Sequence, residues 1–324
     1  MARMISRRAL ARLVGLGLAA APRAGAGAGG PVTIPGRVGL ATVTPPPPGR
    51  ALDPLAARRA VEAALAAATG KSTAVEAVGA LFAVEDTVGV KVNCLAGAGL
   101  SPRPEIVAAF AGVLRDRGIP PHRVIVFERS SRELARAGLP VRRDGGAFLC
   151  SGIDNDYDRE PSTSGEIGSF FARLVSTTCT ALVSLGVVKD HDLSGVSAGL
   201  KNLYGLINNP NKYHDHNCDP YLADVANHPF VRGKLRLVVL DGVTAQCHGG
   251  PAYRPDAVWP LGLVAASTDP LAADAWAWKV IDAERRRRGM ASLEAAGRPP
   301  RFLASAARYG LGVGDPRAIT EVLA

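Results

Sequence analysis

The sequence predicts an α/β fold: a mainly parallel central sheet flanked by helices, three-layered and Rossmann-like. Three observations predict it. Short apolar, β-branched runs recur along the chain, amphipathic segments with helix start and stop signals alternate with them, and no tandem repeat interrupts the alternation.

The first residues read as an export signal. A basic opening, the pair Arg7-Arg8 behind Ser6, an apolar run over residues 9–21 and small residues over 24–28 make residues 1–28 a twin-arginine-type signal peptide. Arg12 interrupts the run, which is short of the ~20 apolar residues of a membrane span, so no stable span is expected after cleavage. The expectation is a periplasmic or extracellular protein exported folded, with the twin-arginine translocase as partner. GAGAGG at 25–30 belongs to the cleavage region and is no dinucleotide-binding turn, because no strand precedes it. Residues 29–50 read as a Pro/Gly-rich lead-in whose TPPPPGR excludes helix, and residues 51–324 as one α/β domain.

Within that domain the punctuation is clean. Asp53-Pro54 opens a helix that Gly70 stops, PRPEIVAAFAGVLRDRG forms a second ending at Gly118, and Asp269-Pro270 opens a third that stops at Gly289. Ser130 and Glu133 form a capping-box pattern. VGVKVN, RVIVF, TALVSLGVV, LRLVVL and LGLVAAS read as buried strands.

Charge and cysteine count exclude several classes. Loss of residues 1–28 removes five arginines and no acids, taking the formal charge from +9 to +4, with 33 basic against 29 acidic side chains. Nucleic-acid binding loses its support, and the run Arg285–Arg288 reads as a solvated helix end that complements the dipole. Cys94, Cys150, Cys179, Cys218 and Cys247 contain no Cys-x-x-Cys pair, so neither a ferredoxin-like iron-sulfur cluster nor a zinc ribbon is encoded. Cys150 and Cys179 read as buried free thiols.

In open α/β sheets ligands bind beyond the carboxyl ends of the strands. The residues there are Asn93-Cys94, Glu128-Arg129, Lys189-Asp190-His191, Asp241 and Thr268-Asp269. Lys189 and His191 can face one side of an extended segment, placing a cation beside a titratable imidazole. Lys91 lies inside a buried strand, where an amine needs an anion, a partner or a route to the edge. With Lys201 of GLKNLYGLI, three lysines can converge on an anionic small molecule. KYHDHNCDP adds His214 and His216, two of only six histidines, as ligands for a divalent metal completed by His191 or Asp241, or as an ordinary polar loop. The loop His248-Gly249-Gly250-Pro251 reads as a turn or a ligand-closing segment.

Several motifs in the same order, VGVKVNCLAG, KDH, SAGLKNLYGLI, the histidine-bearing loop, VVLDGVTAQ with GGP, and ASTDPLAADAWA, resemble the large bacterial and archaeal family called domain of unknown function 362 over roughly residues 85–285. The resemblance points to Lys91, Asn93, Lys189, His191, Lys201, Asn202, Asp241, Asp269 and Asp274. Many relatives carry an appended ferredoxin-like domain and suspected redox roles, but this chain lacks its cysteines. Two readings of function follow. In the first, an enzyme uses His191, Lys189 and Asp241 for catalysis and Lys91, Asn93, Lys201, Asn202 and Asp274 for substrate, with His214, His216 and Asp269 on a metal. In the second, the same groups form a non-catalytic metal- or cofactor-binding pocket that serves a redox partner.

Overall fold

The computed structural model describes residues 33–324, so the export signal assigned to residues 1–28 lies outside the described residues. The strands, in chain order, are β1 (Arg37–Thr42), β2 (Val88–Val92), β3 (Val124–Glu128), β4 (Leu149–Gly152), β5 (Ser162–Ser164), β6 (Ile167–Ser169), β7 (Ala181–His191), β8 (Gly195–Ser197), β9 (Leu235–Gln246), β10 (Val258–Trp259), β11 (Leu263–Ser267) and β12 (Thr320–Leu323). The helices are α1 (Pro54–Thr69), α2 (Ala74–Gly79), α3 (Pro104–Asp116), α4 (Ser131–Arg136), α5 (Tyr221–Asn227), α6 (Pro229–Arg232), α7 (Pro270–Arg287) and α8 (Phe302–Arg308).

Ten strands form one sheet, ordered β12-β1-β11-β9-β7-β2-β3-β4, with β8 beside β7 and β10 beside β9; β5 and β6 pair separately. Strands β9, β7, β2, β3 and β4 run parallel, as do β1 and β12, whereas β11 runs antiparallel to both β1 and β9. The sheet is mixed and mostly parallel, and helices flank it. Successive strand residues face opposite layers. Val88, Val90 and Val92 of β2 join Val183 and Leu185 of β7 in a core beneath α1, α2 and α3. Phe127 and Leu182 point the other way, into a core shared with α5 and α8, while Val238 and Leu240 pack under α7.

The long helices begin and end where the sequence puts them. Asp53 accepts from the Leu55 and Ala56 N–H groups, and Gly70 stops α1 in the left-handed conformation at φ +66°. The capping box proper lies elsewhere. It joins Thr73 and Glu76 on α2, whereas Ser130 caps α4 through the Arg132 N–H.

Four readings are corrected. The lead-in carries β1, an interior strand of the sheet, so the domain begins before residue 51. Gly39 makes this strand possible: any side chain there would overlap the α1 backbone at Ala64 and Ala68. Local composition hides β1 because its partners, β11 and β12, lie more than 200 residues away in sequence. Second, β9 runs on to Gln246, which places Asp241 inside a strand, opposite Val264. Third, because β11 is antiparallel, its carboxyl end and Asp269 lie at the opposite edge of the sheet from the ends of β2, β3 and β7. Fourth, Arg285 is buried and donates to the Cys247 and Ala291 carbonyls, so the basic run is not wholly solvated. No described helix is long and apolar enough to cross a membrane. All five cysteines are buried free thiols, and burial pushes Cys150 up to about 11 and Cys179 up to about 12.

Candidate functional site

At the carboxyl ends of β2, β3 and β7 lies a cleft of about 200 Å³, lined among others by Lys91, Glu128, Arg129, His191, Lys201 and His214. This is smaller than pockets for drug-sized ligands, which begin at roughly 300 Å³. It suits a small metabolite.

The floor is an ion pair. Lys91 Nζ donates to Glu128 Oε1 at 2.6 Å, to Asn202 Oδ1 at 2.9 Å and to the Val92 carbonyl at 2.5 Å, which uses all three ammonium hydrogens. Both members are buried. Glu128 also accepts from the Cys94 and Arg129 N–H groups, at 2.7 and 2.6 Å. Asn202 turns its amide nitrogen to the Lys91 carbonyl and to Ser184 Oγ of β7, at 2.7 and 3.0 Å. Strands β2, β3 and β7 and the 3₁₀ turn Lys201–Leu206 are thereby tied together. A side chain at position 205 would overlap the end of Lys91, which its three hydrogen bonds hold in place.

That turn presents Lys201. Its ammonium lies 3.1 Å from His214 Nε2 and 4.2 Å from the centre of the Tyr204 ring, and among the described residues no carboxylate pairs with it. Burial pushes its pKa down to about 8. Tyr204 holds the opposite wall in register, its hydroxyl donating to the Tyr213 carbonyl at 2.6 Å.

The two cleft histidines have defined tautomers. His191 Nδ1 accepts from the Leu193 and Ser194 N–H groups at 3.1 and 3.3 Å, so its proton is on Nε2. His214 Nδ1 faces the Pro210 carbonyl at 2.9 Å and must donate, which leaves Nε2 to accept from Lys201. The rings stack at 5.6 Å between centroids. Burial, reinforced by Lys201, keeps both neutral: His191 is pushed down to about 2 and His214 is pushed down too.

The remaining site candidates divide. Lys189 is fully buried behind the cleft wall, touching Asn93 Oδ1 at 3.3 Å and the Pro251 carbonyl at 3.4 Å; burial pushes it down to about 8. Asn93 and Pro251 themselves line the cleft. The glycine loop is a fixed wall, since Gly250 donates to Asp190 Oδ1 and accepts from the Asp192 N–H. Asp241 does not orient a histidine: its carboxylate accepts from the Arg103 backbone at 2.8 Å and from the Arg103 guanidinium, at the start of α3. Asp269 is a cap whose oxygens are filled by the Gly36, Leu271, Ala272 and Val313 N–H groups. His216 is exposed and does not line the cleft.

The proposed metal ligands are therefore not assembled. His191 retains one free ring nitrogen, His214 none, and Asp269 no free carboxylate oxygen. Among the described residues no group of three or more His, Cys, Asp or Glu side chains is placed to hold a metal ion.

The sequence placed Glu128 and Arg129 at a strand end without giving them a role, and Glu133 and Tyr204 were missed as site residues; Glu128 is the last residue of β3 and Arg129 follows it. Glu133 looked like a capping residue; it borders the cleft 3.8 Å from Arg129, and burial with Glu128 nearby pushes its carboxyl up. Nothing in the sequence marked Tyr204.

Asp274 positions the site from behind. It is fully buried on α7, and its Oδ2 accepts from the Gly199 and Leu200 N–H groups at 2.9 Å each, immediately before Lys201; Oδ1 has no partner. Burial pushes its carboxyl up to about 7, against the pull of those two N–H groups. The folded protein thus retains a proton between pH 4 and 7 that the unfolded chain releases. The group's contribution is full below about pH 4 and is lost as pH rises through 7. Asparagine does not titrate, so the stability of Asp274→Asn relative to the native chain should rise by about 2–4 kcal/mol between pH 4 and 8. Urea denaturation across that range measures it, and a pH-independent difference would refute the assignment.

No curated protein matches the chain. Among solved structures, a crystal structure of a Thermotoga maritima protein aligns at 13% identity and a TM-score of 0.41, over 72% of this chain and 60% of that one. The sequence profile of the family described as "Domain of unknown function (DUF362)" matches residues 88–279. The matched stretch runs from β2 into α7 and contains every residue that lines the cleft. It covers more than half of the 324 residues, and the protein belongs to the DUF362 family.

Proposed function

We propose that the protein is an exported enzyme that binds a small anionic metabolite in this cleft and transforms it by acid–base chemistry. The observation that carries the reading is Lys201: a buried ammonium that faces the cleft, bonded to a neutral imidazole and, among the described residues, to no carboxylate. A dry cation without a counter-charge favours an anion as its partner. Two further groups at the cleft surface agree. His191 offers an Nε2–H donor, and the half-buried Arg129 guanidinium, 3.8 Å from the Glu133 carboxylate, adds a second cation. Glu128 is neutralised by Lys91 and so does not repel the ligand.

In this reading Lys201 and Arg129 hold the anion, His191 donates a hydrogen bond to it, and His214 exchanges protons with Lys201. Lys91, Asn202 and Lys189 fix the walls. The filled donor atoms of Asp269 and His214 do not favour a metal-carrying role. Turnover of a small-acid panel distinguishes the enzyme from a non-catalytic carrier.

Oxalate and phosphate are suitable probes. Calorimetry at ~0.15 M salt, where exposed charges are screened, should detect binding of at least one, weakened tenfold or more (about 1.4 kcal/mol) in Lys201→Met. Absence of binding by either, or equal binding by the variant, would remove the anion reading.

Export rests on the Arg7-Arg8 pair and the apolar run behind it. The double variant Arg7→Lys, Arg8→Lys should leave the precursor in the cytoplasm on cell fractionation. An unchanged distribution would reject twin-arginine export.

A further inference from the structure

We propose that Lys201 is a covalent centre that forms an imine with the carbonyl carbon of a small carboxylic acid, such as a 2-oxo acid or an aldehyde acid. The proposal rests on the anion reading and adds to it a substrate class and a bond.

Comparison of the buried lysines singles out this one. Lys91 has spent its three hydrogens on Glu128, Asn202 and Val92. Lys189 stands behind the wall rather than in the cleft, and the half-buried Lys234 is held by the Val175 and Ser176 carbonyls. Lys201 lines the cleft with, among the described residues, one polar contact, to His214 Nε2 at 3.1 Å, and without a carboxylate that would keep it permanently charged.

An amine must lose its proton before it can attack a carbonyl. Burial holds Lys201 near 8, so about one amine in ten is uncharged at pH 7. The proton has a receiver in direct contact. His214 Nε2 is bare, because Nδ1 donates to the Pro210 carbonyl.

The chemistry balances without an oxidant or reductant. Lys201 passes a proton to His214, its nitrogen pair forms the N–C bond, and the carbonyl π pair moves onto oxygen, which takes the proton back from His214. His214 then removes a second proton from the nitrogen and returns it to the hydroxyl, which leaves as water as the C=N bond forms. One ammonium and one carbonyl become one iminium and one water, with the charge unchanged. His191 Nε2–H donates a hydrogen bond to the oxygen throughout and keeps its proton. The Tyr204 ring, 4.2 Å from the nitrogen, stabilises the cation before and after the reaction.

The test is reductive trapping on the full chain with pyruvate or glyoxylate and cyanoborohydride, read by intact mass and peptide mapping. Expected is one adduct per chain on the Lys201 peptide, absent with lactate, which lacks the carbonyl. Its yield should rise from pH 6 to 9 with a midpoint near 8. Lys201→Met gives the background from surface lysines; if it fails to fold, peptide mapping of the native chain still identifies the modified lysine. Adducts confined to other lysines, or no adduct while oxalate still binds, would overturn the imine and leave the anion reading standing. If neither oxalate nor phosphate binds and no adduct forms, both fall.

Discussion

The buried Lys91–Glu128 ion pair is the contact on which the rest of the site depends. It joins β2 to β3, and through Asn202 it holds the turn that carries Lys201 while also reaching Ser184 on β7. Two charges taken out of water are tolerable only when every remaining lone pair and proton is satisfied, and here the Cys94, Arg129, Val92 and Asn202 groups do that. Removing one partner of such a pair costs roughly 3–5 kcal/mol, because the other is left charged and dry. The pair therefore fixes the geometry of the cleft more than it adds to net stability.

The pair also shapes the electrostatics above it. Since Lys91 neutralises Glu128, this buried carboxylate at the cleft floor does not compete for Lys201. Lys201 and burial then keep His191 and His214 neutral, with opposite tautomers set by backbone groups on either side. The cleft surface is consequently rich in N–H donors. Such a surface discriminates in favour of acceptors and anions and uses little reorganisation on binding, since its donors are already aimed. Asp274 works at a distance, fixing the two backbone groups that precede Lys201.

Much of this was legible in the sequence because parallel strands buried on both faces read as apolar runs, and their ends are where ligands bind. That rule named Asn93, Glu128, Arg129 and His191, which line one cleft, whereas Lys91 came from its place inside a buried strand, Lys201 from its motif and Asn202 from the family resemblance. The rule failed where the sheet departs from it. Asp269 follows an antiparallel strand and so lies at the wrong edge, and Asp241 sits within a strand that continues past it. β1 was hidden by the prolines that follow it and by partners distant in sequence. The histidine pair of KYHDHNCDP separates because His216 adopts a left-handed conformation, at φ +51°, that turns the chain between the two rings; spacing alone cannot show such a turn.

A buried, neutral His191 faces the cleft with its Nε2–H, in the same cleft as a Lys201 that no carboxylate among the described residues pairs with. Nitrogen NMR of the histidine rings, recorded from pH 5 to 8, tests it most directly. Expected is one His191 signal pair in the Nε2–H form with a bare Nδ1 at every pH, because burial and the nearby Lys201 push the ring down to about 2. A His191 that titrates with a midpoint near the ordinary ~6.5, or whose proton sits on Nδ1, would contradict it.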